Sequence, residues 1–141
     1  MKRLHFAFSL FLALPLAAQT IDQRVDVLLA KMTLEEKIGQ LLQFTPGREE
    51  AKAMIADGTV GCIFNTGGAK DVNELQRVAM TASRLKIPVL FAHDVIHGYR
   101  TIFPIPLGMA ATWDPASAEL AAGIAAREAS AARIRWTFPA V

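Results

Sequence analysis

Two short runs, Val60 to Phe64 and Ile87 to Ala92, are apolar throughout instead of alternating with polar residues, and Ile134 to Phe138 begins a third strand. A strand that reads this way is covered on both faces, which is the condition of a parallel sheet. Parallel neighbours need long crossovers, and helices fill the gaps. Asp71 is expected to cap a helix through Lys86 with Leu75, Val78, Ala79, Ala82 and Leu85 facing inward. Asp114-Pro115 opens an Ala-rich helix to about Ala132, with proline at its first position. Strand and helix in alternation predict an α/β fold, the N-terminal portion of a (β/α)8 barrel of the triosephosphate isomerase type.

Upstream, Ile21, Val25, Leu28 and Leu29 fall at helical spacing. Thr33 is followed three positions on by Glu36, a capping box in which side chains of both residues accept exposed backbone N–H groups. The helix it opens should bury Leu34, Ile38, Leu41 and Leu42 and stop before Pro46-Gly47. A further short helix is expected from Glu49 to Asp57, closed by Gly58.

The first residues have the order of a secretory signal: basic Lys2-Arg3, an apolar stretch from Leu4 to Leu16, then small Ala17-Ala18. Spanning a bilayer takes about 20 apolar residues, and this run is shorter, with Pro15 near its end. The expected division is a signal peptide over 1–18 and a partial barrel domain over 19–141, hence a periplasmic or secreted chain with no stable membrane insertion after cleavage. The full chain carries 15 Lys+Arg and 13 Asp+Glu. Lys2 and Arg3 leave with the signal, so the mature part is balanced and gives no basic footprint for nucleic acid. Cys62 is the single cysteine, so no internal disulfide forms, and it reads as a small buried hydrophobe in a strand.

The loop after the second run holds the chemistry. Asp94 lies just past Val89 to Ala92 and opens Asp94-Val95-Ile96-His97-Gly98-Tyr99-Arg100. Active sites of parallel barrels sit at the carboxyl ends of the strands, where a carboxylate is held rigidly yet faces the cavity. An aspartate there accepts two sugar hydroxyls, one per oxygen. On the residues alone a second role stays open: capping loop N–H groups or pairing with Arg100. His93 and His97, four apart with an acid between, also suggest a zinc hydrolase of the His-Glu-x-x-His kind. That motif requires a helix, whereas the preceding run is a strand and Gly98 would break a helix. No third ligand is evident. His97 is expected to hydrogen-bond within the loop.

The run from Asp94 to Gly108 closely resembles the bacterial periplasmic β-glucosidase branch of glycoside hydrolase family 3. Met32-Thr33-Leu34-Glu35-Glu36-Lys37-Ile38-Gly39-Gln40-Leu41 is similar to the family's opening helix and Gly61-Cys62-Ile63-Phe64-Asn65 to its first strand. Ala111-Thr112-Trp113-Asp114 and Arg135-Trp136-Thr137-Phe138 also fit. The resemblance implies a retaining, exo-acting glycosidase acting on a β-glucoside or oligosaccharide with no metal or organic cofactor. Retention uses two carboxylates about 5 Å apart. It implies further that Asp94 binds hydroxyls of the terminal glucosyl unit, supported by His97, Gly98, Tyr99 and Arg100. The nucleophile, the acid/base and the Arg-Asp-Pro-Arg-Trp-Gly stretch of the family have no counterpart here. Two departures stand at the end: Arg133 where a glycine is usual, and Phe138-Pro139-Ala140-Val141 in place of a Phe-Ala-Pro-Met-Val-like run. A premature stop, a frameshift or a fragment would account for both. The expected activity of this chain alone is therefore none, with a non-catalytic sugar-binding module as the alternative reading.

Overall fold

The computed structural model describes residues 19–138, so the expected signal segment lies outside the described residues. Two compact units divide the chain, at Lys31 and Met32. In the first, Ile21–Lys31 forms α1. Thr20 and Gln23 bracket its start, each side chain accepting the other's backbone N–H at 3.2 and 3.0 Å. None of its residues is buried.

The second unit runs α2 (Leu34–Leu41), β1 (Gln43–Phe44), α3 (Arg48–Asp57), β2 (Cys62–Phe64), α4 (Ala69–Thr81), β3 (Leu90–Asp94), α5 (Pro106–Ala110), α6 (Pro115–Ala131) and β4 (Trp136–Phe138). Its strands form one sheet in the order β1-β2-β3-β4, every pairing parallel. Sequential order with a helix in each gap between β1 and β4 is the arrangement of an arc of a (β/α)8 barrel.

The sheet's two faces differ. Ile63 and Phe91 are register partners on one face, and both belong to the core. Ala51 and Ile55 from α3, Val72, Leu75 and Ala79 from α4, and Ala129 from α6 close over them. Phe64, Ala92 and Trp136 are register partners on the other face, which Asp94 and Phe138 share two residues further on. There the Phe64 and Phe138 rings meet edge to face at 5.4 Å, and Ala92 beside them is fully buried. Leu90 and Trp136 on that face are 41% and 42% exposed.

Several expectations require correction. The strand over Gln43–Phe44 was not anticipated; two residues are too few to show a pattern. It makes Val60 to Phe64 an interior strand. The apolar side of α2 is not buried: Leu34, Ile38, Leu41 and Leu42 are exposed. The helix instead packs through Gly39, where an added Cβ would lie 2.4 Å from the Gly58 carbonyl oxygen, and through buried Glu36. Glu36 accepts Thr33 N–H at 2.9 Å and Arg84 Nε at 2.9 Å, so the expected capping box also clamps α2 to the turn after α4.

Asp71 is not a cap. Gly67-Gly68 lets α4 begin three residues earlier, and Asp71 lies in its first turn, paired with Arg48 at 3.2 Å. Nor does α4 reach Lys86. Thr81 and Ser83 hydroxyls donate to the carbonyls of Arg77 and Ala79, and Ser83 Oγ accepts Lys86 N–H at 3.1 Å. These bonds draw the chain into a turn with Lys86 left-handed, at φ 54°. Ala82 is exposed and Leu85 only half-buried as a result.

Candidate functional site

The site is built at the carboxyl ends of β2 and β3. β3 extends through His93 and Asp94, two residues beyond its expected end at Ala92. β2 ends at Phe64, and Asn65 turns away with φ 55°, a left-handed conformation that asparagine tolerates better than most residues. That turn keeps Asn65 on the ladder. Its N–H donates to the Ala92 carbonyl at 2.9 Å, and its Oδ1 accepts the Asp94 N–H at 3.4 Å. Asn65 thereby holds the Asp94 backbone from the neighbouring strand. The sequence marked it only as the last residue of a run resembling a strand, with no role of its own.

Asp94 is exposed. Among the described residues its carboxylate makes no ion pair or hydrogen bond, and Arg100 does not reach it. Capping and charge pairing, the two structural roles left open above, are thus not what the side chain does. His93 points to the helix-covered face with Phe91, by strand alternation. Its ring meets Tyr99 edge to face at 5.2 Å, and its Nδ1 is buried without a hydrogen-bond partner among the described residues. His93 lies on a strand and residues 95–97 are not helical, so the two imidazoles do not share the helix face that the zinc motif needs. Among the described residues no three His, Cys, Asp or Glu side chains are placed to hold a metal ion.

The loop beyond Asp94 closes on itself. Phe103 N–H donates to the His97 carbonyl at 2.8 Å, and His97 Nδ1 lies 3.1 Å from the Phe103 carbonyl. Gly98 and Ile102 form an antiparallel bridge. Gly98 has φ 124°, and a Cβ there would stand 1.9 Å from the Thr101 carbonyl oxygen, so no other residue fits. Glu128 of α6 accepts the N–H groups of Arg100 and Thr101, both at 2.8 Å, and the Thr101 hydroxyl at 2.7 Å. These donors, led by the Thr101 hydroxyl, hold the Glu128 carboxyl below the usual range. Nothing in the local sequence distinguishes Glu128 from any exposed helix glutamate.

An apolar groove of about 510 Å³ lies between this loop and α6, lined by His97, Phe103, Met109, Trp113 and Ala121 among others. Asp94 is not in its lining. Cys62, opposite Leu90 in the sheet, is buried, and burial pushes its thiol up, which makes it unreactive.

The chain is 42% identical over 128 residues to a periplasmic β-glucosidase of Salmonella typhimurium, which covers 88% of this chain and 17% of that protein. A lysosomal β-glucosidase of Dictyostelium discoideum is 28% identical across 85% of the chain and 18% of its own length. The crystal structure of a β-glucosidase from Listeria innocua superimposes with a TM-score of 0.73 at 32% identity, over 84% of this chain and 19% of that one. The chain thus spans less than a fifth of the length of these relatives. Residues 33–141 match the model of the glycosyl hydrolase family 3 N-terminal domain, and the chain belongs to that family.

Proposed function

We propose that this chain is the N-terminal segment of an exported, retaining β-glucosidase, and that Asp94 binds hydroxyls of the terminal glucosyl unit. The observation that carries the proposal is the state of Asp94: an exposed carboxylate with no protein partner among the described residues, at the carboxyl end of a parallel strand. Leaving an anion unpaired there is of no use to the fold, whereas sugar hydroxyls are donors that such a carboxylate accepts. Phe64 and Phe138 on the same face offer apolar ring surface to the C–H side of a sugar. Supporting this, Listeria innocua β-glucosidase structures contain laminaribiose or glucose, and the Salmonella relative is periplasmic. His97, Gly98, Tyr99 and Arg100 support the loop.

Hydrolysis by the whole protein would proceed by double displacement through two further carboxylates. Neither is identified among the described residues, so the 141-residue chain should leave an aryl β-glucoside intact. Hydrolysis clearly above that of an Asp94→Ala control would overturn this. Binding is the positive test. Glucose should shift the Asp94 amide resonance in the wild-type chain and leave it unmoved in Asp94→Asn; equal shifts in both would remove Asp94 from the site.

A further inference from the structure

The tip of the Asp94 loop presents two consecutive N–H groups, Arg100 and Thr101, that no atom of the loop accepts. Both residues are exposed, so water could satisfy them. Water could not fix their position. One oxygen of Glu128 takes both N–H groups and the other takes the Thr101 hydroxyl, from a residue 28 positions on in the chain. We propose that Glu128 is a positioning residue for Asp94: it ties the loop tip to α6 and so fixes the direction in which the Asp94 carboxylate leaves β3. The inference rests on the sugar-binding reading given above.

Three features make the tie a lever. The loop is stiff, closed by the His97–Phe103 contacts and by the Gly98 conformation, so restraint at its tip is passed to its base. Its base is Asp94 itself, one end of which Asn65 already holds. On α6, Ala125 and Ala121 are buried one and two turns before Glu128, so no bulky side chain stands between that stretch of the helix and the loop. Charge assistance adds strength, since hydrogen bonds to a carboxylate exceed those between neutral groups.

The test uses the isotope-labelled 141-residue chain, with glucose as the probe. Glu128→Ala should raise amide exchange at Arg100 and Thr101 by roughly tenfold. Exchange at Phe91 and Ala92 should stay unchanged, and the glucose-induced shift at Asp94 should fall several-fold. Glu128→Gln should restore most of that shift, because its carbonyl accepts both N–H groups while its amide donates to Thr101 Oγ. Glu128→Asp, one methylene short, should not. An undiminished glucose shift in Glu128→Ala overturns the inference, and so does a rise in exchange at Phe91 and Ala92, which would make the effect global. If the wild-type chain itself does not respond to glucose, the sugar reading fails and the inference falls with it. That failure appears before any variant is made, so the two are told apart.

Discussion

Arg133 occupies the position just past α6 with φ 70°, and its N–H donates to Ser130 while Ile134 N–H donates to Ala129, both at 3.0 Å. This pair of bonds is the Schellman closure, in which the left-handed residue is normally glycine. The family resemblance also expects glycine there, and the backbone supplies the reason. Arg133→Gly should therefore stabilise the chain by about 1 kcal/mol, read as a higher urea midpoint with unchanged slope. No change in midpoint would mean that the arginine side chain offsets its backbone strain. At Gly98 the effect reverses. Gly98→Ala should displace the loop and lower the urea midpoint, with the amide resonances of residues 97–103 moving most. Asp94→Ala, by contrast, should leave the midpoint within about 0.5 kcal/mol, because the exposed side chain bonds to nothing among the described residues. At this scale the place of Asp94 at a strand's carboxyl end and Gly98 as a helix breaker were legible from residue type and spacing. Asn65 and Glu128 were not, since their roles depend on a neighbouring strand and a distant helix.

Three element ends marked by local chemistry were found where the sequence placed them, while Asp71 was not the cap it suggested. Thr33 and Glu36 cap α2, Asp114 caps α6 through the N–H groups of Ala116 and Ser117, and Gly58 closes α3 in the left-handed conformation. Thr33→Ala should cost about 1 kcal/mol. Faces and far ends were less legible. The periodicity of α2 indicated an apolar stripe, yet its packing follows from Gly39 and from the Arg84–Glu36 pair, which no period reveals. The hydroxyls that end α4 compete with the helix over a range that propensity alone leaves helical. Carboxyls held below their ordinary values also set a pH dependence, Glu36 and Glu128 among them. Glu36, bound first by Arg84, and Glu128, bound first by Thr101, both lie below the ordinary glutamate value of about 4.3. A depressed folded value means that the unfolded chain binds protons more readily, so these contributions are fully present above pH 5 and disappear as pH falls through the folded values. Urea midpoints should be flat from pH 7 to 5 and drop below about 4. In Glu36→Gln the acid drop should be shallower; an identical profile would assign it to other groups.

At the scale of the molecule, the alternation of apolar strands and helices was enough to read a parallel α/β sheet, and the structure adds one strand at its start. What the pattern could not show is the inequality of the two faces. Continuous apolar strands imply cover on both sides, yet among the described residues the face bearing Leu90, Trp136 and Asp94 has no helix layer comparable to that of α3, α4 and α6. Apolar surface left open in this way favours association. Sedimentation of the 141-residue chain at rising concentration should show growth beyond monomer, and Leu90→Lys with Trp136→Lys should reduce it. A monodisperse monomer of the unsubstituted chain would count against this reading of the face.

Because every strand pairs with its immediate predecessor in the chain, the sheet can be laid down in the order of translation. Each new strand meets an edge that already exists, and each crossover helix is complete before the strand it delivers. Growth by addition at one side keeps loop-closure distances short at every step and asks nothing of residues not yet made. A polypeptide emerging from the ribosome would on this view begin to organise the Asn65–Asp94 corner as soon as β3 had cleared the exit tunnel, with Glu128 arriving afterwards to lock it.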